Sequence, residues 1–410
     1  MRSLHHALLH RLALIVLALG VSASPAGTRA ASPVEAPEAL RDQLRQAEPG
    51  GMLDVTGLIE GNGTAPIPLF EVERRDAPGP QFLISDKPEY FRTGDGIALQ
   101  EPVEAGTVRL YVYHVPEPTE SRKTITAVIE NTGSQPMRFR FLRYAFPEPG
   151  KDYQKIAKQA LVTFLKSQPS STTRTVAPGQ RMVIDPAMDR RVVGKDDLVH
   201  GFYEFEIDQP GIVTVFQKNP EEDSRRVIDR LPKLPPVLPG WHPSGAGRGW
   251  FAVCNFEVEP KHQAVYDTAQ GVMQILVADG EHDPWITGRD SITGQSDVPN
   301  KGNYGVMYRI RIPYRTSDGR ALAVIVYNPR GGGKWCNAQA LAVRVNDGRA
   351  PAGVIEVPAN QVRYNSPPEA ALVQCYPPQQ AGQTGIIEIT YSPPGASCLP
   401  VPFVLVPFSP

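Results

Sequence analysis

The chain has 410 residues, with 42 Lys and Arg against 43 Asp and Glu and a formal charge of −1. That balance excludes the strongly basic field of nucleic-acid or anionic-membrane binders. Proline (42) and glycine (36) approach a fifth of the residues beside 41% hydrophobic ones, which excludes a helix-rich fold and predicts many turns between short strands.

Residues 1–30 read as a secretory signal peptide. Arg2 and Arg11 bracket a basic start, Leu12 to Val21 is apolar, and Ser22, Ala23, Ala26, Ala30 and Ala31 are small, the order such peptides follow. The apolar stretch is short for a bilayer span, and cleavage is expected after Ala23 or near Ala30. Removing residues 1–30 takes away three arginines and no acid, moving the formal charge from −1 to −4. No later apolar run reaches spanning length. The mature chain is therefore expected to lack a transmembrane anchor and to be secreted, periplasmic or at the cell surface.

Residues 31–51 are expected to be an N-terminal spacer with one short helix from Pro37 to Glu48, where Leu40 and Leu44 stand four apart. Residues 52–230 alternate as strands do. Val108, Leu110, Val112 and His114 fall on one face, and Arg109, Tyr111, Tyr113 and Val115 on the other. Lys123 to Glu130, the turn Asn131–Pro136 and Met137 to Tyr144 predict an antiparallel hairpin with Met137, Phe139 and Phe141 inward. Gln180–Asp185, Val199–Ile207 and Gly211–Gln217 add strands, and the whole reads as an immunoglobulin-like sandwich. One amphipathic helix, 152–168, interrupts it. Tyr153, Ile156, Ala157, Ala160, Leu161, Phe164 and Leu165 form its stripe, Asp152 caps its start, and the stripe is expected to pack on its own sheet rather than on a membrane.

The proline-rich segment 231–249 is expected to be a stiff linker at a domain boundary. Residues 250–410 supply eight more candidate strands, from Phe251–Val258 to Gly385–Tyr391, enough for a jelly-roll-like module. The fold class is thus mainly β, with two sandwich domains and one helix in the first. All four cysteines lie late, at 254, 336, 375 and 398. In an exported chain an even count favours disulfides, here Cys254–Cys336 and Cys375–Cys398, each contributing roughly 2–4 kcal/mol.

Five segments, Val108–Val115, Ile129–Gly133, Leu198–Phe205, Asp208–Val215 and Gly302–Pro313, resemble a family of secreted bacterial β-sandwich proteins often labelled copper amine oxidase-like. The resemblance implies export and a sandwich fold. The oxidase activity of the label does not carry over. Such an enzyme makes its quinone from the first Tyr of Asn-Tyr-Asp/Glu-Tyr and holds copper with three His, two in His-x-His. Here Asn303-Tyr304 is followed by Gly305-Val306, and His114, His200, His242, His262 and His282 include no such pair.

Three features invite chemistry. Asp279, Glu281 and Asp283 alternate as calcium ligands can, although Pro284 stands where an EF-hand needs glycine; the pattern reads first as a solvated acidic turn between strands. His282 would join them in a metal-dependent enzyme. Trp285 and Trp335 sit in loops, where an indole can stack on a sugar ring or plug the end of a sandwich. No Gly-x-Ser-x-Gly, His-Glu-x-x-His or Gly-Lys-Ser/Thr loop is present. The sequence therefore predicts an exported non-enzymatic binding protein with no cofactor unless calcium. Its expected partner is a glycan, taken by Trp285 and Trp335, or another protein of the cell envelope in a structural or accessory role, and not nucleic acid.

Overall fold

The structure is a computed structural model that describes residues 32–410 apart from 60–66, 93, 117–121, 241–242, 330–337, 340, 357–361 and 364–367. Helix α1 (Glu38–Gln46) and β1 (Met52–Asp54) lead into β2 (Val72–Asp76), β3 (Gln81–Ser85), β4 (Gly96–Val103), β5 (Gly106–His114), β6 (Thr124–Asn131) and β7 (Met137–Ala145). Then come α2 (Tyr153–Lys166), β8 (Arg174–Val176), β9 (Arg181–Val183), α3 (Pro186–Arg190), β10 (Val199–Ile207), β11 (Gly211–Lys218) and α4 (Ser224–Val227). The second half runs through β12 (Arg248–Phe251), β13 (Asn255–Pro260), β14 (Tyr266–Asp267), β15 (Met273–Val277), β16 (Thr287–Asp290), β17 (Gln295–Pro299), β18 (Met307–Arg315) and β19 (Ala321–Tyr327). It ends with β20 (Ala338–Gln339), β21 (Ala342–Val345), β22 (Gly353–Glu356), β23 (Val362–Arg363), β24 (Glu369–Tyr376), β25 (Gly385–Tyr391) and β26 (Val401–Phe408).

The fold is mainly β and built from facing sheets. One sheet, in the order β17-β16-β12-β3-β5-β10-β7-β8, faces β4-β11-β6-β9. Leu110, Val112, Phe139 and Phe205 of the first meet Leu99, Ile129, Val213 and Val215 of the second in one core. The sheet β1-β24-β19-β26-β15 faces β2-β13-β18-β25-β21-β22, with Val324, Phe403 and Leu405 against Ile310, Ile387 and Tyr391. Alternation decides which side of each strand is buried, because successive side chains point to opposite faces. The predicted face of β5 (Val108, Leu110 and Val112) lies in the first core, while Tyr111 and Tyr113 point away into the second.

Helix α2 forms as its pattern predicts. The Asp152 carboxylate accepts the Lys155 N–H at 3.1 Å, and Ile156, Ala157, Leu161 and Phe164 are buried. It packs on β7 and β10 of its own sheet and also on β21 and β22, with Phe164 stacked on Phe202 at 3.8 Å between ring centroids.

Four expectations are corrected. The segment Lys123–Tyr144 is not a hairpin: β6 pairs with β11 and β9, and β7 with β10 and β8. The turn at Asn131 crosses between layers, held by its side-chain amide donating to Gln135 O and Val176 O at 2.8 and 2.9 Å. Segment 31–51 is not a free spacer, since α1 buries Leu40 and Leu44 over the outer face of the β19 sheet. Segment 231–249 parts no domains. Leu234 and Leu238 are buried, Ile97 and the linker exchange backbone hydrogen bonds (Ile97 N to Pro232 O 2.8 Å, Leu234 N to Ile97 O 2.9 Å), and β12 then joins β3. An extended proline-rich chain lies on a sheet edge as readily as it spans solvent. In the other direction, β1 and β2 pair with β24 and β13 of the second half, so Pro33–Pro410 is one compact unit. Finally, Cys254 and Cys375 are free and buried, which rules out both preferred bridges, while Cys398 is disulfide-bonded. Cys336 lies outside the described residues.

One buried side chain fastens the two halves. Arg109 on β5 is 2% exposed. Its guanidinium donates to Glu204 Oε1 at 2.6 and 2.9 Å, and across the junction to Cys254 O, Asn255 Oδ1 and Gly305 O at 2.9, 2.8 and 3.2 Å. Arg109→Leu is expected to lower unfolding free energy by about 3 kcal/mol, because Glu204 keeps only the longer Arg143 contact at 3.5 Å and the acceptors at Cys254, Asn255 and Gly305 lose their donor; denaturant melts of both proteins measure it. For the cysteines, thiol titration is expected to find Cys254 and Cys375 unreactive in the native protein and reactive after denaturation, with non-reducing peptide mapping recovering Cys398 in a cross-linked peptide.

Candidate functional site

Where the two sheet pairs meet, a cleft of about 980 Å³ opens between six separate segments of chain. Its polar centre comes from Ser85-Asp-Lys-Pro-Glu-Tyr90, where the chain leaves β3 and turns through a cis Lys87–Pro88 peptide. Asp86 is 6% exposed. Its Oδ2 accepts the Ala246 N–H at 2.6 Å, whereas Oδ1 is buried without a hydrogen-bond partner. Glu89 accepts the neighbouring Gly245 N–H. Two successive amides thus serve the two carboxyls. Gly245 is required there: its φ is +86°, and a Cβ would lie 1.7 Å from Asp86 O.

Burial, and after it the charge of Glu89, push the Asp86 carboxyl well above its usual range, against the opposing Ala246 N–H and Lys87. Burial also raises Glu89, against the Gly245 N–H and Arg92. Desolvation disfavours the charged form of any acid that cannot find full compensation.

Tyrosines form the walls. Tyr113 points off β5 into the cleft, stacked parallel to Tyr111 at 6.4 Å. The Tyr111 hydroxyl accepts the Gly395 N–H at 2.8 Å, and a Cβ on Gly395 would sit 2.3 Å from the Tyr113 ring, so loop 395–397 lies flat on these rings. Tyr304 donates to Ser397 O at 3.2 Å. Tyr153, in the first turn of α2, shares a hydrogen bond with Tyr90 and reaches Asp196 O at 3.2 Å. Lys151 and Lys301 stand exposed at the rim.

The sequence-selected residues lie elsewhere. Asp283 is buried and occupied: Oδ2 accepts from Ala278 N and the Tyr308 hydroxyl at 2.7 and 2.6 Å, and Oδ1 pairs with Arg74. Asp279 turns its Oδ1 to the Glu281 and Asp283 N–H groups at 3.0 and 2.8 Å, and its Oδ2 to the His282 ring at 2.7 Å. Glu281 is exposed. The loop is thus braced from within, and among the described residues no three His, Cys, Asp or Glu side chains gather as a metal site. Trp285 is half-buried, packed on the core and against Gly280 of its own loop, where a Cβ would lie 2.5 Å from the ring. Trp335 lies outside the described residues. Asp86, Glu89 and the tyrosine walls carried no sequence signal beyond two acids three apart beside a proline, which reads as a turn.

No known family model matches the chain, and no curated protein matches it. Among solved structures, the CUB1-EGF-CUB2 domain of human MASP-1/3 aligns with 75% of this chain and 99% of its own, at 8% identity and a TM-score of 0.18. A formate complex of Lactobacillus farciminis oxalate decarboxylase aligns with 82% of this chain and 87% of its own, at 9% identity and 0.11. At such scores the likeness carries no argument.

The raised carboxyls have a consequence for stability. With folded-state affinities for protons above the unfolded ones, the native protein holds more protons, so this contribution weakens as pH rises above about 4. Asp86→Asn keeps an acceptor for Ala246 and removes the charge. It is expected to melt above the wild type at pH 8 and level with it near pH 4, as scanning calorimetry at the two pH values would register.

Proposed function

We propose that the protein is exported and binds a glycan in the junction cleft. The observation that carries this reading is the pairing, in one cleft, of tyrosine walls with a buried carboxyl that has an oxygen left over. A sugar offers what such a site lacks: hydroxyl donors for the unpartnered Asp86 Oδ1, and faces of C–H groups for Tyr rings, which combine an apolar surface with a polar edge. The cleft volume matches ligand sites, which run to about 1,000 Å³, and suits a short oligosaccharide. Export is supported by the order of Arg2, Arg11, the apolar Leu12–Val21 and the small residues after it. Among the described residues no helix is long and apolar enough to cross a membrane.

The site differs from the one the tryptophans suggested, and the experiment separates the two. Mature protein is screened on an array of glycans and cell-wall polysaccharides, and any hit is titrated with the wild type, Tyr304→Ala, Tyr90→Ala and Trp285→Ala, each checked for folding. Either tyrosine change is expected to weaken binding about tenfold or more, near 1.4 kcal/mol, while Trp285→Ala leaves it unchanged. Loss with Trp285→Ala alone moves the site to the 279–285 loop, and dependence of that loss on calcium would favour the metal-assisted reading. Failure to bind any glycan sinks the proposal and leaves an envelope scaffold for other proteins.

A further inference from the structure

We infer that the sugar taken by this cleft bears a free primary amine, whose ammonium group sits against Asp86 and Glu89. The inference rests on the reading of the cleft as a glycan site and narrows the ligand class. Asp86 is the one carboxylate among the described residues with a buried oxygen that has no hydrogen-bond partner. Its other oxygen and Glu89 are each steered by a backbone N–H from the 245–246 turn, so both carboxyls are held in place before a ligand arrives. An ammonium brings three donors and a charge, enough to meet the open oxygen of Asp86 and a lone pair of Glu89 together. Tyr90, Tyr113, Tyr153 and Tyr304 line the same space, and aromatic faces around a desolvated cation add attraction through their quadrupoles. Two carboxyls fall short of the six to eight oxygens that calcium takes, but they suit one ammonium.

The groups facing the pair fix the pH behaviour. Lys87 lies beside Asp86, its own amine depressed by burial and by Lys301. Arg92 lies near Glu89 and is engaged over the Tyr90 ring at 4.2 Å. Arg248 is buried and committed to Asp290. Tyr111 and Tyr113 stay neutral, pushed up by burial. Lys151, Asp152 and Lys301 stand at the exposed rim. In the empty cleft burial raises the proton affinity of Asp86 and Glu89. An arriving ammonium stabilises the ionised carboxyls and lowers that affinity, so binding is linked to proton release and strengthens as pH rises, until the amine itself begins to lose its charge.

Chitosan tetrasaccharide, with free amines, and its fully N-acetylated counterpart share a backbone and differ at the nitrogen. Calorimetric titration of the mature protein at pH 6, in two buffers of different ionisation enthalpy, compares them. The expected result is about tenfold or greater preference for chitosan, proton release on binding, and tighter binding at pH 6 than at pH 5, where the sugar amine keeps its charge. Asp86→Asn and, as a second variant, Glu89→Gln are each expected to cut chitosan affinity about tenfold and to reduce proton release. Equal affinity for the two sugars, or binding without proton release, overturns the amine. Binding of other glycans through Tyr304 with no response to chitosan also overturns it while leaving the glycan reading intact. Absence of binding to every glycan overturns both.

Discussion

Arg109 is the interaction on which the rest of the molecule depends. A guanidinium that is 2% exposed is tolerable only when its donors find geometrically matched acceptors, because removing such a charge from water costs several kcal/mol. Here the acceptors come from both halves: Glu204 of the neighbouring strand on one side, and Cys254 O, Asn255 and Gly305 O on the other. The side chain cannot be satisfied by either sheet pair alone. Folding of β5 into its sheet and docking of segments 254–255 and 302–306 are therefore linked, and this accounts for a proline-rich segment that reads as a linker without acting as one. Arg248 repeats the device at the other end of the junction, pairing with Asp290 at 2.5 Å and donating to Leu234 O at 2.7 Å.

The clamp also places the cleft. Arg109, Tyr111 and Tyr113 are alternate residues of one strand and share a face. The first ties down the 254–255 and 305 segments, the second binds Gly395 N, and the third reaches the cleft. Close approach is enforced by glycine: a Cβ on Gly305 would stand 2.9 Å from the Phe82 ring, and one on Gly395 2.3 Å from Tyr113. One strand face thus runs from an electrostatic anchor to a binding wall, with no independent moving part between them.

Much of this was legible in local pattern. The alternation at 108–115, the stripe of 153–165 and the strand at 321–327 follow from periodicities that are properties of single elements. What local pattern cannot carry is partnership. Asn131–Pro136 looks the same whether the next strand returns alongside or crosses to the opposite sheet. The strand β26 went unread because Pro402 and Pro407 argue against an interior strand. Yet Pro402 falls where only β15 is paired and Pro407 where only β19 is, since the two pairings cover 401–405 and 403–408. Each proline therefore has a free side for its missing N–H. The cysteine pairing failed for a related reason: spacing says nothing about which thiols end in apolar surroundings, as Cys254 and Cys375 do. The cleft was invisible because its residues come from 86–90, 113, 151–154, 245–246, 301–304 and 395–397, which only the junction brings together.

Within a fold that satisfies its buried charges so thoroughly, Asp86 stands apart. Arg109, Arg248, Asp283 and Asp290 each meet several partners. His114 and His200 remain neutral, lowered to about 3 and about 4 by burial, while Ser85 and the carbonyls of Pro88 and Val112 take up their ring nitrogens. These groups keep the interior free of unmatched charge across the physiological range. Natural sequences that agree with their fold at every other level tend to break local rules where function requires it. Asp86 breaks one: asparagine would leave the Ala246 contact in place and avoid the cost of a buried acid. A carboxyl kept at that position, beside a second carboxyl and under tyrosine walls, makes physical sense when a donor from outside the chain completes it.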